Sequence, residues 1–344
     1  MLYRARSLQP TDSHQLAVCT RALCRSFGAL RALDALDLEV PRGRLFALLG
    51  PNGAGKSTTI AILTTLLAPT SGEASVAGWD VVREPRRVRA SIGVVFQEVS
   101  LDDRLTAREN MQFHSMIHGI DAGARTARIA ASLASVGLAS AANQRVRTFS
   151  GGMKRRLEIA RALLHEPAIL ILDEPTVGLD PQTRRTVWEQ LAAIAATRAR
   201  TVFVTTHYMD EAERCDDVAI VDHGRLVARG SPGELIARAG GERLIVRAAD
   251  AERIRSAAEA LGWRVSPARS SDAEGGLAIE GDRPEAMLAR LAERAGGILE
   301  AAIVRPTLED AFVALTGHEL RDALDDTGGR HAAMATNLRA RGRR

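Results

Sequence analysis

The chain has 344 residues, room for one catalytic domain of about 220 residues and a smaller companion on the loose scale of roughly 100–200 residues per domain. Hydrophobic residues make up 46% and charged residues 26%, a soluble globular balance, and with aromatics at only 3% the core must be built from Leu, Ile, Val and Ala. No stretch approaches the roughly 20 apolar residues of a membrane span, and the net charge of +4 is too small to argue for a nucleic-acid partner, much of it collecting from Arg330 onward as five arginines with no acid.

Residues 1–16 are a polar lead-in without the apolar middle of a secretory signal, so the chain is expected to stay in the cytoplasm. Strands are predicted at 17–23, 36–40 and 45–49, with turns at Phe27-Gly28 and Pro41-Arg42-Gly43. The third strand runs directly into Gly50-Pro51-Asn52-Gly53-Ala54-Gly55-Lys56-Ser57-Thr58, and residues 57–67 have the apolar spacing of a buried helix. Strand, glycine loop and helix in succession make a phosphate cradle. Gly50, Gly53 and Gly55 let the backbone turn its N–H groups inward, and the positive end of the helix favours the anion. Lys56 is placed to reach β- and γ-phosphates, Ser57 to offer its hydroxyl to Mg²⁺, and Thr58 to support an α-phosphate contact.

Further strands are predicted at 91–96, 168–172, 201–205 and 218–221, mostly as continuous apolar runs, which implies a sheet covered by helices on both faces. Between Gln97 and Ala168 the pattern turns helical, at 107–118, 124–136 and 151–164, and reads as a helical subdomain inserted over about 98–167. The strand at 169–172 ends in Asp173-Glu174. A buried strand fixes Asp173 at its carboxyl end, where it can hold hydrated magnesium, and sets Glu174 beside it to polarise an attacking water. A phosphate loop alone fits kinases and GTPases as well; this acidic pair narrows the reading to ATP hydrolysis.

A second unit is expected over 233–317, after Ser231-Pro232-Gly233, with strands at 244–247, 277–280 and 298–304 and helices at 251–261, 284–295 and 307–315. Residues 266–276 read as an exposed polar loop and 318–344 as a flexible basic tail. Cys19, Cys24 and Cys215 lack any second metal-binding pair and are expected to be reduced structural thiols.

One further segment, Phe149-Ser150-Gly151-Gly152-Met153-Lys154-Arg155-Arg156, resembles the signature sequence of the ATP-binding cassette transporters, and it lies shortly before Asp173. Other elements follow the same order: Phe27 in the place of the aromatic that stacks on adenine, Gln97 in VFQE, Gly178-Leu179-Asp180 like the dimer-contact loop, and His207 in TTHYMDEAE like the switch histidine. Phe149 stands where that family usually has leucine, and Met153 where it usually has glutamine.

The resemblance implies an α/β fold: a P-loop NTPase cassette over 17–232 with its helical insertion, followed by a small C-terminal α/β accessory domain. It implies ATP and Mg²⁺, with the metal held by Ser57, Gln97 and Asp173, and chemistry by Glu174, His207, Gln97 and Lys56. Ser150, Gly151, Gly152 and Asp180 are expected to meet the nucleotide of a second ATPase subunit in a head-to-tail dimer. A separate integral membrane permease, in two copies, is expected as partner, with the chain peripheral on the cytoplasmic face of the membrane. The C-terminal order, ending in PTLEDAFVALTG, resembles the branch that exports drugs, antibiotics, lipids and glycans. The rival readings are a soluble cassette ATPase of DNA repair or translation and a nonhydrolytic nucleotide switch.

Overall fold

The computed structural model describes residues 15–268, 276–281 and 283–318. Nearly all of the polar lead-in and of the basic tail, and most of the predicted loop at 266–276, lie outside the described residues. The chain divides into two compact units at Pro232 and Gly233.

In the first unit, β1 (Leu16–Phe27) and β2 (Leu30–Pro41) form a hairpin longer than its sequence pattern suggests. Its register shifts near Ala22 and Ala35, both at positive φ, and such bulges break the inside–outside alternation that marks a strand. Then β3 (Leu45–Leu49), buried throughout, feeds α1 (Lys56–Leu63). That helix is four residues shorter than predicted at its far end, because Thr64 caps it and Thr65 turns to φ 64. Next come β4 (Ser71–Val76) and β5 (Trp79–Asp80), unpredicted because SGEASV has too few apolar residues to register; they complete an antiparallel sheet in the order β2-β1-β4-β5.

After α2 (Pro85–Ser91), β6 (Ile92–Val95) leads into the helical block of α3 (Ala107–Ile117), α4 (Ala122–Ser135) and α5 (Gly151–Leu163). Thr106 and Glu109 form a reciprocal capping box that fixes the start of α3. The chain then returns through β7 (Ile169–Asp173), α6 (Pro181–Ala196), β8 (Thr201–Thr206), α7 (Met209–Ala212), β9 (Asp217–Asp222) and β10 (Arg225–Gly230). The six-stranded sheet runs β10-β9-β3-β8-β7-β6, parallel except at the β10 edge. Register places Leu49 beside Thr206 and Asp173 beside Thr205, so three adjacent strands deliver their ends to one place. The carboxyl edge of such a sheet is where α/β folds bind ligands.

In the second unit, α8 (Pro232–Ala237) precedes β11 (Arg243–Ala248), α9 (Ala251–Ala260), β12 (Arg264–Pro267), β13 (Leu277–Glu280), α10 (Pro284–Arg294), β14 (Ile298–Val304) and α11 (Leu308–Thr316). The strands pair antiparallel in the order β12-β13-β11-β14, a split βαβ arrangement. Leu244, Val246 and Ile279 of the sheet pack on Ile254 and Ala258 of α9 and on Met287 and Leu291 of α10. The strand absent from the sequence expectation, β12, is mostly exposed and has Val265 as its one aliphatic residue.

Candidate functional site

The loop between β3 and α1 closes tightly on the β2 hairpin. Gly55 has φ 101, and a Cβ there would sit 2.6 Å from Leu33 Cδ2 and 2.7 Å from the Ala32 carbonyl oxygen. Only glycine satisfies both the backbone angle and the approach. Among the described residues no side chain caps α1, and its first turn holds no acid, so its leading amides keep their positive field for an anion. Lys56 is 5% exposed; its Nζ donates to the carbonyls of Gly50 (2.7 Å) and Pro51 (3.0 Å) and stands 3.2 Å from Glu174 Oε1. Burial lowers the Lys56 pKa, and the neighbouring Glu174 and Asp173 carboxylates oppose that shift.

Asp173 is the last residue of β7. Its Oδ1 accepts hydrogen bonds from Thr205 Oγ1 at 2.6 Å and from Ser57 Oγ at 3.4 Å. Burial raises its pKa, against the pull of those two hydroxyls. Glu174 leaves the strand at φ 44, a left-handed angle costly for a side-chain-bearing residue. Its N–H donates to Thr205 Oγ1 at 3.0 Å, and its Oε1 lies 3.4 Å from His207 Nδ1. Burial pulls the Glu174 pKa up, but His207 and the Lys56 ammonium outweigh it and hold the acid below its usual range, ionised at neutral pH.

One hydroxyl therefore sets both acids. Thr205 was not singled out from sequence; its only mark is a polar residue at the end of the apolar run TVFV. Glu211 was also missed. Its carboxylate, 1% exposed, accepts from Thr176 Oγ1 (2.5 Å) and Thr206 Oγ1 (2.6 Å), tying the turn after Glu174 to the end of β8. Replacing Thr205 with the near-isosteric Val leaves a buried carboxylate and an amide short of partners, which costs about 1–3 kcal/mol per group. We expect Thr205→Val to lower turnover roughly tenfold or more, the scale of about 1.4 kcal/mol per decade, and to raise the Mg²⁺ concentration needed, read in a phosphate-release assay at rising Mg²⁺. An unchanged Mg²⁺ dependence would refute the positioning role.

The site also suits a divalent cation. Ser57 and Asp173 converge as hard oxygen donors at 3.4 Å, the donor type that Mg²⁺ takes together with phosphate oxygens. Gln97 is a different matter. It follows the end of β6, on the same sheet edge, but it is exposed, and among the described residues no hydrogen bond joins its side chain to Asp173. Its backbone carbonyl is instead held by Arg155 Nη2 at 2.9 Å. Arg155, 4% exposed, also donates to Phe96 O (2.6 Å) and Glu158 Oε2 (3.0 Å), while Glu158 Oε1 accepts from the Ser100 amide (2.8 Å). The helix that starts at Ser150 is thus bolted to the segment that carries Gln97.

Phe27 ends β1, half-buried, with the Arg25 guanidinium 4.6 Å over its ring. It sits toward the hairpin tip from Leu33, the residue packed against Gly55. Ser150 caps α5 by accepting from the Met153 amide at 3.2 Å and is exposed, as is Gly151. Gly152 lies so close to α6 that a Cβ would sit 2.2 Å from Thr183 Cγ2. Phe149 is buried at 7% exposure, which accounts for a large apolar residue at that place. The exposed Asp180 caps α6, its Oδ1 accepting from the Thr183 amide at 3.0 Å.

The family model described as ABC transporter matches residues 33–177. The daunorubicin/doxorubicin resistance ATP-binding protein DrrA of Streptomyces peucetius is 39% identical, over 91% of this chain and 95% of that protein. Nod factor export ATP-binding protein I of Cupriavidus pinatubonensis is 37% identical, over 88% and 91%. Among solved structures, cbiO1 of Clostridium perfringens, part of an ABC transporter complex, matches with a TM-score of 0.61 and 27% identity over 72% of this chain and 96% of that one. The ATP-binding cassette MJ0796, solved as a post-hydrolysis dimer bound to ADP and Pi, matches with a TM-score of 0.57 and 28% identity over 62% and 98%.

Proposed function

The chain belongs to the ABC transporter family as an ATP-hydrolysing subunit, and from that premise we propose that it drives export of a drug-, antibiotic-, lipid- or glycan-like cargo through a separate membrane permease. The observation that carries the ATPase half is the convergence of Lys56, Ser57, Asp173, Glu174 and His207 at the ends of three adjacent strands. Two relatives similar along most of their length have names that speak of drug resistance and Nod factor export, which supports the export direction.

In this reading the loop amides and Lys56 bind the phosphates, and Ser57 and Asp173 hold Mg²⁺. The ion, when bound, neutralises charge on the transferring phosphoryl group. Glu174, ionised and aimed by its backbone bond to Thr205, accepts a proton from the attacking water, and His207 orients it. Ser150 and Gly151, exposed at the start of α5, complete the site on a second subunit placed head to tail, as the dimer of the similar cassette suggests. The bolts from Arg155 and Glu158 then carry closure of that pair to the Gln97 segment as a discrete shift.

Membrane attachment falls to the partner, since among the described residues no helix is long and apolar enough to cross a membrane. We assign the permease contact to α3, where Phe113, Met116 and Ile117 are 60%, 54% and 64% exposed and share one stripe at helical spacing. Phe113→Glu combined with Ile117→Glu should leave basal ATP hydrolysis within about twofold, a surface change being worth roughly 0.5 kcal/mol or less. It should also strip the chain from membranes of cells that express the complete transporter, read by sedimentation and immunoblot. Continued membrane association of that variant would remove α3 as the docking surface.

A further inference from the structure

The helical block holds a cluster that ATP hydrolysis does not use. His114 and His118 stand one turn apart at the carboxyl end of α3, His165 follows α5, and the three bring one ligand nitrogen each to within 4.8 Å of one another. The His118 and His165 rings stack at 3.9 Å between centroids and 16° between planes, with His114 4.5 Å from His118.

His165 decides what the cluster is for. Its Nε2 lies 2.9 Å from the Ile92 carbonyl oxygen, which can only accept, so Nε2 carries the proton. The other nitrogen, Nδ1, is buried, has no hydrogen-bond partner among the described residues, and keeps a bare lone pair. Metal-binding histidines have this same division of labour: one ring N–H anchored on a backbone carbonyl, the opposite nitrogen free to coordinate. We propose that His114, His118 and His165 form a binding site for a borderline transition-metal ion of the Zn²⁺ class, with a further coordination position open to solvent on the His118 side.

The donor chemistry favours that class of ion over Mg²⁺. The donors are imidazole nitrogens, which suit Zn²⁺, Ni²⁺ and Cu²⁺. Burial, with help from His118, Arg161 and His165, holds the His114 pKa down to about 3, and burial lowers those of the other two as well. Arg161, the cation that bears on His114, points its guanidinium at Ser100 and Glu158. Zn–N bonds of about 2.0–2.1 Å place tetrahedral nitrogens roughly 3.3 Å apart, so the rings must close by up to about 1.5 Å. His118 is exposed and has the freedom to make that move. The bound ion would staple the end of α3 to the end of the helix that Ser150 begins.

The test uses the full chain, stripped with chelator and titrated at neutral pH with Co²⁺ and then Zn²⁺ while visible absorption is followed. The expected result is one Co²⁺ per chain giving d–d bands without sulfur-to-cobalt charge transfer, displaced by Zn²⁺, and a melting temperature raised by Zn²⁺. His118→Ala should weaken binding by at least the roughly 10–100-fold that loss of even an outer-shell partner costs, with its own melting temperature unresponsive to Zn²⁺. His118→Cys should keep the ion and add a thiolate-to-cobalt band, which a merely structural histidine would not do. Absence of saturable uptake by the wild-type chain, or identical spectra for wild type, His118→Ala and His118→Cys, overturns the assignment.

Discussion

Glu174→Gln should slow phosphate release from ATP by on the order of 10²–10⁴-fold, the range that a positioned general base contributes, while the nucleotide still binds. Glutamine keeps the size of the side chain and can hold the same backbone angle, but it has no charge with which to take a proton or to pair with Lys56 at 3.2 Å and His207 at 3.4 Å. The nucleotide-loaded pair of subunits should then persist, visible as a dimer in size-exclusion chromatography with Mg-ATP. Turnover equal to wild type would end the assignment of Glu174 as the base. The substitution also has a signature in nucleotide-free protein. The folded-state pKa of Glu174 lies below the ordinary 4.5, so its ionised form adds stability above that pH, and the contribution is lost as pH falls through the lowered value. Denaturant midpoints of wild type and Glu174→Gln should converge on acidification.

Lys56→Met should act on nucleotide binding instead of on the chemical step. Hydrogen bonds to charged groups contribute about 1.5–3 kcal/mol each, so removing the ammonium should weaken ATP binding roughly 10–100-fold, measured with a fluorescent ATP analogue. It also leaves Glu174 buried without its cation. Breaking a buried pair costs about 3–5 kcal/mol in general; here His207 remains beside the acid, so the loss belongs at the lower end. The double variant Lys56→Met with Glu174→Gln should therefore be less destabilised than the sum of its single changes, a coupling that a denaturant-based double-mutant cycle measures. Strict additivity would mean that the 3.2 Å contact carries no energy in solution.

The parts of this fold that could be read from sequence are those whose pattern is local. A strand running into GPNGAGKST, and an apolar strand ending in two acids, announce themselves within about ten residues. What escaped depends on pairing at a distance. Hydrogen bonding to β1 makes β4 a strand, although its own residues are mostly small or polar. Bulges at Ala22 and Ala35 hid half of the long hairpin. The helix α6 went unpredicted although Asp180-Pro181 is a capped helix start, its signal absorbed into the loop that follows Glu174. Within the site, Lys56, Ser57, Asp173 and Glu174 lie in contiguous motifs, whereas Thr205 and Glu211 matter only because register sets β8 next to β7. Two of the three histidines share the end of α3 while the third follows α5, and no spacing rule joins residue 114 to residue 165.

The left-handed backbone at Glu174 places two demands on one position. Conformation alone would select glycine there, for a relief of about 1 kcal/mol; the reaction alone selects a carboxylate. A duplicated copy of this gene released from turnover would feel only the first demand, and its codon 174 would be free to drift toward glycine or asparagine while the surrounding loop stayed intact. The identity of that single residue thus serves as a record of whether a given copy still earns its place by hydrolysis.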